Sequence, residues 1–135
     1  MRIKNKGGIK MESERKRYAQ LITITQDDIN TFCVLSKDTN PIHKSNSERI
    51  APGLLVSSLF AGQVASMYPG CLLVEIAFTF ISPIFADEAI YYQTEEIEDT
   101  GKLVYLKHIA KRLLCEKETV LLLGNSIIKK RKGRK

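Results

Sequence analysis

Asp38 and His43 stand five positions apart in Asp38-Thr39-Asn40-Pro41-Ile42-His43. A carboxylate and an imidazole held close on a constrained loop can act on one water. The carboxylate serves as base, and the imidazole as base or acid. Pro41 fixes its own φ and biases Asn40 away from helix. His43 is one of two histidines in the chain, and an unperturbed imidazole, with a pKa near 6.5, suits proton transfer near neutral pH. The same residue types also build turns in which Asp38 and Asn40 cap backbone groups and the histidine is incidental. Spacing alone leaves both readings open.

The elements that must position this loop are legible. Tyr18 to Ile24 alternates as a strand. Thr25 is an N-cap, with Asp28 three residues on and acidic residues in the first turn. Ile29, Phe32, Cys33 and Ser36 then share one face of a helix spanning about 26–36. Residues 37–52 are loop-like, rich in Asp, Asn, Ser and Pro. Leu54 to Met67 carries no charge and is apolar or small all round, so a helix buried all round is expected. Pro52-Gly53 opens it and Tyr68-Pro69-Gly70 closes it. The rest reads as strands: Leu72–Phe85, Ala89–Ile97, Leu103–Leu114 and Thr119–Ile128. The punctuation is Asp87-Glu88, the hairpin signal Asp99-Thr100-Gly101-Lys102 and the turn Glu116-Lys117-Glu118. Sequential strands joined by short turns are antiparallel. One long apolar helix needs a curved sheet around it, so the fold class is α+β.

With 135 residues, 44% of them hydrophobic and 27% charged, the chain is expected to form one domain over 18–128. A flexible basic segment is expected at 1–17 and a basic tail at 129–135. The net charge of +6 comes from these ends. Residues 20–128 hold eight basic and thirteen acidic residues, a net −5, so nucleic acid is not the expected partner. Cys33, Cys71 and Cys115 show no metal or disulfide spacing and read as small buried apolar residues of a reducing compartment. No metal site and no cofactor are expected. No apolar leader is visible, and the longest apolar stretch, about 14 residues, is short of the ~20 that span a bilayer. A cytoplasmic protein is the expectation.

The order of residues adds to this. Ser36-Lys37-Asp38-Thr39-Asn40-Pro41-Ile42-His43 resembles the hydratase motif Gly-Asp-x-Asn-Pro-(aliphatic)-His of the MaoC-like, (R)-specific enoyl-CoA hydratase family. Ile50 to Phe60 resembles that family's entry into its central helix, Tyr68-Pro69-Gly70 the segment that follows it, and Phe78 to Glu88 its Phe-x-x-Pro-Val-x-x-Gly-Asp strand pair. The resemblance spans roughly 20–128. It implies the hot dog fold, an antiparallel sheet of about five strands wrapped around one central helix. It also implies hydration of a trans-2-enoyl thioester, carried by CoA or acyl carrier protein, to the (R)-3-hydroxyacyl thioester, or the reverse dehydration. Asp38 and His43 would be the catalytic pair on one water. Asn40, Gly53 and Leu54 would be substrate-binding, with the N–H near Gly53 facing the thioester carbonyl. The chain would be a homodimer or a higher homo-oligomer.

There are departures. Lys37 replaces the family's glycine, Pro52 stands where a histidine is usual, and Ala61 where close relatives place a serine. The stretch from His43 to Gly53 is shorter by about two helical turns, which implies a more open acyl site. A non-catalytic acyl-thioester binder is therefore the competing expectation. His108, between Lys107 and Lys111, reads as a half-exposed sheet residue.

Overall fold

The computed structural model describes residues 15–131. The expected N-terminal segment over 1–14 and the tail over 132–135 lie outside the described residues. The chain runs β1 (Arg17–Thr23), α1 (Gln26–Ser36), a 3-10 turn at Pro41–His43, α2 (Gly53–Met67), β2 (Leu72–Phe80), β3 (Ala89–Asp99), β4 (Leu103–Leu114) and β5 (Lys117–Lys129).

Helix α1 starts as its sequence dictates. The Thr25 hydroxyl accepts from the Asp28 N–H, and the Asp28 carboxylate accepts from the Thr25 N–H. Two of the four orphan donors at the helix start are thereby satisfied reciprocally. Ile29 is fully buried and Phe32 and Cys33 are partly buried, while Ser36 is exposed, so the buried face is one turn shorter than its periodicity implies.

The five strands form one antiparallel sheet in the order β1-β3-β4-β5-β2. β3, β4 and β5 are hairpin neighbours. β2 is not paired with β3, which follows it in sequence. It crosses to the far edge and pairs with β5. Register shifts at Leu73/Glu75, Glu96/Glu98 and Ala110/Lys111 bend and twist their strands, giving the sheet the curvature to wrap α2.

The core lies between the concave sheet face and α2, with Phe60, Tyr92, Leu122 and Ile90 all but inaccessible. The expectation that α2 is buried all round fails for the single chain. Leu55, Val56, Phe60, Gln63 and Val64 are buried, but Leu54 is 72% exposed, and Ala61 and Ala65 also face outward. One curved sheet covers one side of a cylinder, and among the described residues no strand covers the face that carries Leu54, Ala61 and Ala65. β2 is exposed on both faces, with Leu72, Leu73, Val74, Ile76 and Phe80 open. Cys115, expected to be buried, sits exposed in the β4–β5 turn, while Cys33 and Cys71 are half-buried.

Candidate active site

The loop after α1 is built by short-range hydrogen bonds. Lys37 leaves the helix with φ 62° and ψ 31°, the left-handed step that usually falls to glycine. The Asp38 N–H bonds to the Cys33 carbonyl at 3.0 Å. Asp38 Oδ1 accepts from the Asn40 N–H at 3.0 Å, and Asn40 Oδ1 accepts from the Ile42 N–H at 3.4 Å. Pro41 then starts the single 3-10 turn that carries His43.

This path brings His43 Nε2 to 3.2 Å from Asp38 Oδ2. The histidine side chain is 8% exposed and the aspartate side chain 34%. On the other side of the ring, Nδ1 lies 2.6 Å from the carbonyl oxygen of Ile50. A carbonyl only accepts, so the hydrogen-bond network assigns the proton to Nδ1. Nε2 then presents Asp38 with a lone pair when the ring is neutral, or a second N–H when it is charged. The pair therefore has two states one proton apart, both aimed at the same spot. Asp38, Asn40, His43, Cys33 and Lys37 line an open cleft of about 460 Å³. Burial, followed by the nearby Asp38 carboxylate, pushes the Cys33 thiol up, so it stands there as a thiol.

Gly53 is the first residue of α2, and Pro52 supplies no side-chain cap. The first N–H groups of a helix have no partner within it, so this helix start presents uncapped donors and the positive end of its dipole. It opens onto a different cavity, of about 280 Å³, lined by Ile50, Val56, Phe80 and Leu122. Within one chain the structure thus gathers Asp38, Asn40 and His43. It sets Gly53 in a neighbouring cavity joined to them through Ile50, and Leu54 lines neither.

Sequence reasoning missed three side chains that support this loop. Gln26 Nε2 donates to the His43 carbonyl at 2.9 Å, Arg49 Nε donates to Gln26 Oε1 at 2.9 Å, and an Arg49 terminal nitrogen meets Asp87 Oδ2 at 2.7 Å. Nothing in their spacing marks them, because they come from three separate segments.

His108 is not half-exposed but fully buried. A signal for this was present: Val104, Leu106 and Ala110 share its parity on β4 and are all buried. Gln63, Thr94 and Ser126 are buried with it. Gln63 Nε2 donates to the Tyr92 carbonyl at 3.0 Å, which turns Oε1 toward Thr94, whose hydroxyl donates to it at 2.7 Å. Thr94 Oγ1 must then accept from His108 Nδ1 at 2.9 Å, and Ser126 donates to Nε2 at 2.8 Å. Burial lowers the His108 pKa to about 4, so the ring is neutral in this stack. Among the described residues no group of three or more His, Cys, Asp or Glu is placed to hold a metal ion, and no helix is long and apolar enough to cross a membrane.

A family model described as "MaoC like domain" matches residues 9–113. The chain is 27% identical over 100 residues to the mitochondrial 3-hydroxyacyl-[acyl-carrier-protein] dehydratase FERN of Solanum lycopersicum, covering 68% of this chain and 59% of that protein. It is 27% identical over 112 residues to the mitochondrial 3-hydroxyacyl-[acyl-carrier-protein] dehydratase of Arabidopsis thaliana, covering 76% and 68%. This chain therefore spans about three fifths to two thirds of the length of these relatives. Among solved structures, the (R)-hydratase of A. caviae involved in PHA biosynthesis superposes with a TM-score of 0.75 at 17% identity, over 93% of this chain and 99% of that one. The R-hydratase PhaJ1 of Pseudomonas aeruginosa gives 0.75 at 21%, over 88% and 82%. The fold is the hot dog.

Proposed function

The chain belongs to the MaoC-like domain family, and from that premise we propose that it hydrates trans-2-enoyl thioesters to (R)-3-hydroxyacyl thioesters, or runs the reverse dehydration. The observation that carries this reading is the Asp38–His43 pair. Its two side chains stand 3.2 Å apart, with the imidazole proton assigned to Nδ1 by the Ile50 carbonyl, in an open cleft. The relatives named as dehydratases and hydratases support the reaction class.

In the hydration direction Asp38 and His43 hold one water. Its oxygen adds to C3 as the pair takes a proton from it. The electrons of the C2–C3 double bond move to the thioester, and a proton returned by the pair lands on C2. The charge that builds on the thioester oxygen needs preorganised donors, and the uncapped start of α2 at Gly53 and Leu54 supplies them. Asn40 holds the loop and reaches the same cleft.

Within one chain Gly53 and the pair occupy different cavities, so the complete site takes two copies. The exposed edge strand β2 and the uncovered face of α2 are the surfaces a second copy of this chain would cover. A homodimer, or a higher homo-oligomer, is the assembly this reading requires, checked by sedimentation equilibrium. The thioester carrier is CoA or acyl carrier protein, and the ring's one-proton exchange needs no cofactor. The cytoplasmic placement rests on the cysteine pattern. The two relatives named mitochondrial set the competing outcome, which fractionation decides.

The test is crotonyl-CoA hydration, followed by loss of the enoyl thioester absorbance. Asp38→Asn and His43→Ala should each lose roughly 10²–10⁴-fold in rate while the thermal midpoint stays near that of the parent. If both remain as active as the parent, the assignment is wrong. The second reading, an acyl-thioester binder, is favoured by the exposed Ala61 on the face where relatives place a serine. Tight binding of an enoyl thioester without turnover would establish it.

A further inference from the structure

Two residues outside the pair, Ile50 and Gln26, hold His43 at its two ends, and Arg49 is joined to both. Arg49 immediately precedes Ile50, whose carbonyl takes the Nδ1 proton at 2.6 Å. Through its side chain, Arg49 also holds the other end. Its Nε donates to Gln26 Oε1 at 2.9 Å, and Gln26 Nε2 donates to the main-chain carbonyl of His43 at 2.9 Å. The amide orientation of Gln26 is unambiguous, since a guanidinium only donates and a carbonyl only accepts. Asp87 Oδ2 receives the remaining arm of the fork at 2.7 Å.

The backbone around this fork is committed to it. Arg49 has φ 62° and Asp87 φ 71°, both in the region that L side chains rarely adopt. The Arg49 carbonyl accepts from the Ala86 N–H at 2.9 Å, and the Asp87 N–H donates to the Ile24 carbonyl at 2.7 Å. Two unfavourable backbone conformations face each other across one ion pair, and such strain persists only where the surroundings over-determine it.

We propose that Arg49 is the positioning residue of His43, fixing the tautomer and tilt of its ring; this rests on the reading of His43 as the acid/base partner of Asp38. The physical reason is a competition for one proton. The Asp38 carboxylate beside Nε2 would draw the proton of a neutral ring to Nε2. Only the Ile50 carbonyl opposes this, by holding the proton on Nδ1 and leaving the Nε2 lone pair facing Asp38 Oδ2 across 3.2 Å. Arg49 keeps that carbonyl in place through its own backbone, and keeps the ring from following Asp38 through Gln26. Lysine cannot replace it, because the contact uses two differently directed donors of a planar group.

The experiment reads the ring directly. Long-range proton–nitrogen correlation spectra of ¹⁵N-labelled protein resolve the tautomers of both histidines, and His108, in its separate stack, reports whether the fold is intact. The parent should show His43 with its proton on Nδ1. Arg49→Gly keeps a backbone suited to positive φ and removes the fork, and Arg49→Lys keeps the charge. Both should move His43 toward the Nε2–H form with His108 unchanged, and should lower kcat on crotonyl-CoA by about tenfold or more with KM within about twofold. Gln26→Ala should do the same in part and serves if either Arg49 variant loses the His108 signature. Retention of the Nδ1–H form in any folded variant overturns the proposal. If the tautomer shifts but even the parent turns over no enoyl thioester, the positioning role stands and the hydratase reading falls.

Discussion

The ring of Phe80 lies over Gly53: a Cβ placed on Gly53 would meet Phe80 Cε1 at 3.1 Å. Phe80 is 51% exposed, so its ring can swing outward by the few tenths of an ångström needed. Gly53→Ala is expected to leave the thermal midpoint nearly unchanged while raising KM for enoyl thioesters, because the displaced ring and the new methyl narrow the approach to the helix start. Phe80→Leu in that background should restore KM. Unchanged kinetics in Gly53→Ala would remove Gly53 from the binding surface.

Gly124 presents the opposite case. A Cβ there would stand 2.2 Å from Phe78 Cδ1 and 2.8 Å from the Ala77 carbonyl oxygen. Phe78 packs against the adjoining rings of Phe60 and His108, with ring centroids 5.5 and 5.7 Å away. Neither neighbour can yield, so Gly124→Ala should cost about 1–3 kcal/mol, read as a lower denaturant midpoint. Parent-like stability would show that the β2–β5 pair is looser than described.

Acid should attack the buried stack. His108 has its pKa lowered to about 4 by burial, from 6.5. The unfolded chain therefore takes up this proton first. The stabilisation is fully present above pH 6.5 and is lost as pH falls toward about 4. A fall from 6.5 to about 4 corresponds to about 3 kcal/mol at most. His108→Asn lowers stability overall but should flatten the loss between pH 6.5 and 4. Parallel pH profiles for parent and variant would contradict the neutral ring.

Lys37 ends α1 at φ 62°, where a side chain costs about 1 kcal/mol relative to glycine. Lys37→Gly should raise stability by about that amount in chemical denaturation. A decrease would mean that the lysine makes a compensating contact.

The stretch between His43 and Gly53, shorter than the resemblance leads one to expect, predicts an altered preference among acyl lengths. Turnover of enoyl thioesters of increasing chain length should show it. Rates independent of length would discard the idea.

Much of this was written locally. The capping residues Thr25 and Asp28 set the start of α1, period-2 alternation set β4, and Asp99-Thr100-Gly101 set a hairpin, because each depends on neighbours in sequence. The proximity of Asp38 and His43 was legible for the same reason: an aspartate, an asparagine and a proline close the loop within six residues. The sequence alone therefore determined the two helices, most of the strands and the candidate pair. Tertiary structure decided what depends on partners far along the chain. It sent β2 across to β5, because both edges of its sequence neighbour β3 are taken by β1 and β4. It buried His108, because a stack contributed by α2, β3, β4 and β5 satisfies both ring nitrogens. It also assigned the His43 proton to Nδ1, through Ile50, Gln26, Arg49 and Asp87. A lone pair and a proton look alike in a sequence, and only the acceptor that faces the ring tells them apart.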